Sequence, residues 1–389
     1  MIVAATVVLV GLLLGIVAVQ EWELRLSGVI VVPLLAVYAL YDFHSLAVFG
    51  VGTLATYVGL AILQRRTLLY GRSLLLAAVA IGAIVPLASL AIPSLLGSSE
   101  LLAETAFIGS VLPGIAAYNY HQLEGRKRVA DVLGSLAALA GLLALGAALI
   151  SPSTAATIGS VTPPVLFRAA SDIAMVRGAV VGTVETVSVV SLPVELFALL
   201  VGVVVSEVVY ARWGVRINGL IAVPLLVLFS LVHAVVLPLY VLGTLLVYGL
   251  ITLLNRETLL YGRVLLSAAI LNGVLLAVPV AVYGLAIPGT VLLFTAVLVG
   301  IGAYNFHRVP PRERPASILV SAGLFVIVLA ALGPIADPVR TGILSSVGVG
   351  HVAIGAIVCM LAGWAVVSLE RRRRSAVGTG SQDQEVAQP

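Results

Sequence analysis

Thirteen apolar runs, set apart by short breaks that hold nearly all the charge, confine this chain to one class of fold. They fall at 2–20, 27–41, 46–63, 73–96, 101–119, 129–150, 194–211, 217–231, 233–254, 264–287, 291–305, 316–333 and 346–369. A run of about twenty apolar residues lets a helix cross the hydrocarbon core with every backbone polar group satisfied internally. An ordinary soluble core is excluded by composition, since 61% of the residues are apolar, 10% are charged and the mean hydropathy is +1.19. The chain reads as an all-α polytopic integral membrane protein. The first run has neither the basic start nor the small-residue cleavage site of a signal peptide, so it is expected to be retained. Runs 27–41 and 217–231 fall short of a full span, which leaves open whether they span, tilt or re-enter.

Charge sets the expected orientation, because Arg and Lys collect on the cytoplasmic side. With the N-terminus outside, alternate loops are cytoplasmic, and they hold eighteen of the 21 basic residues: Arg25, Arg65, Arg66, Arg72, Arg126 to Arg128, Arg212, Arg216, Arg256, Arg263, Arg308, Arg312, Arg314 and Arg371 to Arg374. Only Arg168, Arg177 and Arg340 remain outside. The chain is therefore expected in the cell membrane with its N-terminus outside and its C-terminus in the cytoplasm. The formal charge of +4 follows from this topogenic pattern. No basic ladder with interleaved aromatics suggests nucleic acid.

The chain also repeats itself. TLLYGR stands at 67–72 and at 258–263, and the same offset carries Trp22, Arg25, Gly28 and Pro33 onto Trp213, Arg216, Gly219 and Pro224. At a slightly smaller offset VLPGIAAYNYH (111–121) matches VLVGIGAYNFH (297–307). Each copy holds six runs, and an even number makes the copies parallel, related by an axis along the membrane normal. The expected organisation is a first membrane repeat at 1–150, an extracytoplasmic linker at 151–193 with a possible surface helix in its middle, and a second repeat at 194–334. A further span follows at 335–370, then an unstructured basic and polar tail at 371–389.

TLLYGR after the third run, the Gly-to-Pro stretch at 28–33 and the Pro113-Gly114 pair together resemble the poly-γ-glutamate biosynthesis protein family PgsC, also called CapC in capsule clusters. The resemblance covers 1–150 and, more weakly, 194–334. This chain differs in being duplicated within one polypeptide, in its added final helix, and in Val299 where the first copy has Pro113. The resemblance implies a non-catalytic membrane subunit that works with an ATP-dependent amide ligase similar to the Mur ligases and with other membrane subunits, making and exporting a polyanion. A small-solute transporter with parallel repeats and a non-transporting scaffold are the alternatives.

Two shared stretches supply candidate contact residues. In TLLYGR, Gly71 and Gly262 permit a tight turn, Tyr70 and Tyr261 suit the headgroup level, and Arg72 and Arg263 can reach phosphate or carboxylate. A turn with an anchor and an orienting Arg would account for those residue types. Identity of all six residues between copies whose helices have drifted points further, to partner docking or polyanion contact. The second stretch offers Asn119, His121, Asn305 and His307, which either cap and anchor a helix end or line a cytoplasmic entrance. No HExxH, GxSxG or Walker loop is present, and the single Cys359 excludes an internal disulfide or a cysteine metal cage, so neither a cofactor nor a metal is expected. Glu195 and Glu207 read as interfacial charges, Glu207 within reach of Arg212.

Overall fold

A computed structural model describes residues 1–96, 111–159, 161–182, 189–215, 217, 221–258, 260–283 and 287–385. These residues form helices, with an isolated bridge between Arg168 and Gly182 as the sole strand-like pairing among them. The helices are α1 (Ile2–Trp22), α2 (Val31–Tyr41), α3 (His44–Arg66), α4 (Gly71–Leu96), α5 (Val111–His121) and α6 (Gly125–Leu149) in the first copy. The linker carries α7 (Pro152–Ile158) and α8 (Asp172–Arg177). The second copy holds α9 (Leu192–Trp213), α10 (Ala222–Val232), α11 (Val236–Thr258), α12 (Gly262–Val282), α13 (Gly289–Arg308) and α14 (Arg314–Leu332), and α15 (Val349–Glu385) follows. Each apolar run carries a helix; the part of 101–119 before Val111, together with Arg216 and Gly219, lies outside the described residues. Among the described residues nine helices are long and apolar enough to cross a bilayer. Outward stripes such as Val51, Leu54, Val58 and Ile62 on α3, or Leu242, Leu245, Leu246 and Leu253 on α11, would aggregate in water and are at home against acyl chains.

Inside a bilayer, helices gain little from leaving lipid, so close packing at small residues must hold them together. The two copies solve this in the same way. A Cβ on Gly11 would come within 2.7 Å of Pro33, and the matching Gly202 leaves no room beside Pro224. Gly114 of α5 lies against the backbone of Ala78 and Val79 in α4, and Gly300 of α13 lies against Ala269 and Ile270 in α12, their counterparts. Arg128 Nε donates to Leu123 O at 2.7 Å, and Arg314 Nε to Val309 O at 3.1 Å.

The compact units do not follow the copies. One comprises Met1–Leu196 with Val235–Tyr304, the other Phe197–Ala234 with Asn305–Pro389. In the first unit α3, α4 and α5 pack on one another, α1 packs on α2 and α6, and α1 also packs on α12 of the second copy. In the second unit α10 packs on α14 and α14 on α15. There Arg212 pairs with Glu370 at 3.1 Å, with Trp213 Nε1 donating to the same carboxylate at 2.8 Å. Helix α15 continues to Glu385, past the four arginines. The tail expected to be unstructured is thus helical that far, since adding residues to a formed helix costs much less than nucleating one; residues 386–389 lie outside the described residues.

The short second runs prove to be half-length helices of 11 residues each. At about 1.5 Å per residue neither can cross alone. In the first unit the chain nevertheless runs from one end of the unit to the other here. The Met1 amino group donates to Pro163 O in the linker at 2.8 Å, and Phe43 N donates to Asp172 of the linker at 2.8 Å, so the start of α1 and the end of α2 share one end of the unit. At the opposite end the loop after α1 meets the first turns of α6, whose far end the linker caps through Arg177 Nε to Ile150 O at 3.0 Å. Residues 23–30 therefore cover half the depth as non-helical chain and α2, wholly buried, covers the rest. The linker is likewise packed, with Val165, Leu166 and Phe167 buried.

Candidate functional site

Non-helical backbone at membrane depth survives only where protein satisfies its polar groups. The stretch after Trp22 makes an acute demand, because Glu23, Leu26 and Ser27 have φ of 55°, 47° and 60°, and Gly28 has φ of 118°. Left-handed backbone in residues with a Cβ is costly, on the order of 1 kcal/mol each. Glu23 ends α1, and the Leu24 N–H donates to Ala18 O at 3.0 Å. Asp131, fully buried six residues into α6, meets the remainder: its carboxylate accepts from the backbone N–H of Arg25 at 2.5 Å, Leu26 at 2.8 Å and Ser27 at 3.1 Å. Successive N–H groups converging on one anion form a nest. Ser27 Oγ meets Tyr120 OH and donates to Ser135 Oγ at 2.8 Å, and Ser135 Oγ donates to the Asp131 carbonyl at 2.7 Å. Gly28 is required twice over, by its φ and by Asn119 Nδ2, which a Cβ there would approach to 2.8 Å.

Asn119 joins this loop to the second copy. Its Nδ2 donates to Ser27 O and to Ile115 O, each at 2.9 Å, and its Oδ1 accepts from Arg263 Nη2 at 3.1 Å. Thus the Arg of the second TLLYGR reaches the Asn of the first AYNYH. The charges of Arg25 and Asp131 both act on Arg263, and Arg25 Nη1 donates to Gln122 Oε1 at 2.8 Å. A cavity of about 210 Å³ opens beside Asp131, bordered by Trp22, Leu123, Arg126 and the exposed Glu23–Lys127 pair at 2.7 Å. The Lys127 ammonium, by its hydrogen bond and its charge, holds the Glu23 carboxyl below its usual range.

His121 turns away from this group. Its Nε2 lies 2.5 Å from Gln64 Oε1 and its ring meets the Tyr57 ring edge-on, while Arg128 donates to Tyr57 OH at 2.5 Å and stacks over that ring. Asn305 and His307 are half-buried at the end of α13, in the second unit, where Arg314 stacks over Phe306. The two loops share a shape: Gly71 and Gly262 have φ of 61° and 62° with open space where a Cβ would stand. Tyr70 and Tyr261 are 79% and 83% exposed, whereas Arg72 and Arg263 are half-buried. At the linker end, Asp42, His44 and Asp172 bring ligand atoms within 4.8 Å of one another and could hold a metal ion, but both carboxylates already accept from backbone N–H groups at the start of α3, Asp172 from Phe43 and Asp42 from His44.

Sequence reading passed over Asp131, Ser27 and Gln122. Asp131 carried a signal, as an acid inside an apolar run. It follows Arg126, Lys127 and Arg128 so closely that it reads as the end of a charged loop.

The family model for capsule biosynthesis CapC matches residues 10–129 and again 201–314, more than half of the chain and once in each copy. No curated protein and no solved structure matches the chain. With its apolar helices and two matched copies, this multi-pass membrane protein, a membrane subunit in capsule synthesis, belongs to the capsule biosynthesis CapC family.

Proposed function

We propose that the protein is the membrane subunit of a poly-γ-glutamate synthesis and export complex. In this reading the TLLYGR loops face the cytoplasm, hold a Mur-like amide ligase there, and leave the growing polyanion to pass along the arginines behind them. The N-terminus is outside and the C-terminus inside. The observation that carries the reading is the division of labour within each duplicated loop, with Tyr70 and Tyr261 standing exposed and Arg72 and Arg263 turned inward. An exposed aromatic suits a protein partner, and an inward guanidinium suits a carboxylate. The non-helical stretch between α1 and α2 favours a second reading, a small-solute transporter, since unwound segments form the substrate sites of many transporters.

Two double variants separate the roles. Tyr70→Ala with Tyr261→Ala is expected to lose co-purifying ligase at an unchanged membrane level. Arg72→Gln with Arg263→Gln leaves Arg65, Arg66 and Arg256 to hold the topology, and is expected to keep the ligase while polymer is shortened or lost. Wild-type ligase recovery and polymer length in both would reject the proposal. A solute gradient dissipated by the purified protein in liposomes, without ligase, would favour the transporter.

A further inference from the structure

Arg25 and Arg263 both reach the end of α5, their guanidinium groups bonding residues only three positions apart, Gln122 and Asn119. Each hydrogen-bonds a neutral amide, Arg25 to Gln122 Oε1 and Arg263 to Asn119 Oδ1. The neighbouring carboxylate, Asp131, is engaged by three backbone N–H groups of residues 25–27. Arg263 Nη1 is buried and has no hydrogen-bond partner. A buried guanidinium N–H without an acceptor can donate to an oxygen, and a second guanidinium on the same helix end favours an anionic one.

We infer that Arg263, Arg25 and Asn119 form a binding site for one oxyanion, and that its occupant is a carboxylate of γ-linked glutamate. The identity of the occupant rests on the proposed function; the site itself does not. Amide tethering explains how the two forks are kept in place before the anion arrives. Asn119 holds Arg263 by one nitrogen and the loop by Ser27 O, so the second nitrogen of the fork is left aimed with little freedom. Carboxylate and phosphate share this chemistry, and a lipid headgroup could supply the latter.

The two copies differ in sequence around this site. Where the first copy has Asp131 and Gln122, the matching positions of the second hold Ser317 and Arg308. In the site described, the first copy supplies the loop and the second supplies the fork of Arg263.

The test uses the full chain in nanodiscs of neutral phosphatidylcholine and reads binding of tri-γ-glutamate by calorimetry. Saturable binding is expected, weakened at least tenfold in Arg263→Gln and in Arg25→Gln, with Arg263→Lys also weakened because a point charge does not replace the fork. Arg65→Gln should bind as wild type. Inorganic phosphate and discs containing phosphatidylglycerol are the competing arms. Equal tri-γ-glutamate binding in wild type and both Gln variants would overturn the site while leaving the capsule reading intact. Retention of phosphate or phosphatidylglycerol but not of tri-γ-glutamate would overturn the carboxylate assignment. Undiminished polymer in a strain lacking this protein would sink the capsule reading instead, whatever the binding shows. Because Arg25 makes only an exposed bond to Gln122 through its side chain, its variant should fold even if Arg263→Gln does not.

Discussion

Asp131 serves the fold as an acceptor more than as a charge. Its two oxygens take three backbone N–H groups from a segment that no helix or sheet supports, and each donor left buried without a partner costs about 1–3 kcal/mol. Asp131→Ala is therefore expected to destabilise by several kcal/mol, a large share of a typical stability of about 5–15 kcal/mol. Asp131→Asn keeps one acceptor oxygen and should cost roughly half as much. Melting in detergent, followed by intrinsic fluorescence, would check the order wild type, Asn, Ala. An Ala variant that melts like wild type would show that water satisfies the loop and that the carboxylate is dispensable.

At the scale of elements, the copies are matched by what their glycines touch. Gly114 and Gly300 each press an α-helix against the backbone of its neighbour, on counterpart residues, so a side chain at either place must push the same pair of helices apart. Overpacking of this kind costs about 1–3 kcal/mol and more where backbone is the obstacle. Gly114→Val and Gly300→Val are expected to lower the melting temperature by similar amounts, and a loss confined to one would show that only that contact bears on stability. Most of this architecture was legible beforehand. Apolar runs marked the helices of both copies because hydropathy is a local property, though not the two short helices of the linker, and the duplication could be read from TLLYGR and the two Gly-to-Pro stretches. The unwound entry to α2 was not legible. Residues 23–28 are held by Asp131 and Asn119, about a hundred positions later, and nothing local in EWELRLSG distinguishes a connecting loop from a half-crossing. The contact between Arg263 and Asn119 was hidden for the same reason. Both residues stood out singly, and only the packing of α1 on α12 shows that members of different copies meet.

The whole molecule turns on whether 23–41 and its counterpart count as crossings. If each copy crosses six times, the copies enter the membrane the same way round; if the short helix returned to its own side, five crossings would make them inverted. In the first unit the start of α1 and the end of α2 both meet the linker, while the loop between them meets the opposite end of α6, which is the pattern of two crossings. In the second unit Gly202 meets Pro224 as Gly11 meets Pro33, and the end of α10 is covered by a loop through Ala234 N to Thr341 O at 2.8 Å. Thr67 and Thr258 make the same hydroxyl bond to the helix before them, to Leu63 O and Leu254 O, so a cysteine at either should be tolerated equally. With Cys359 replaced, Thr67→Cys and Thr258→Cys are expected to resist an impermeant thiol reagent in intact cells and to react once the membrane is opened. Labelling of both from outside would reverse the orientation and keep the copies parallel. Labelling of one alone would mean an odd number of crossings between them, and the half-length helices would then be re-entrant.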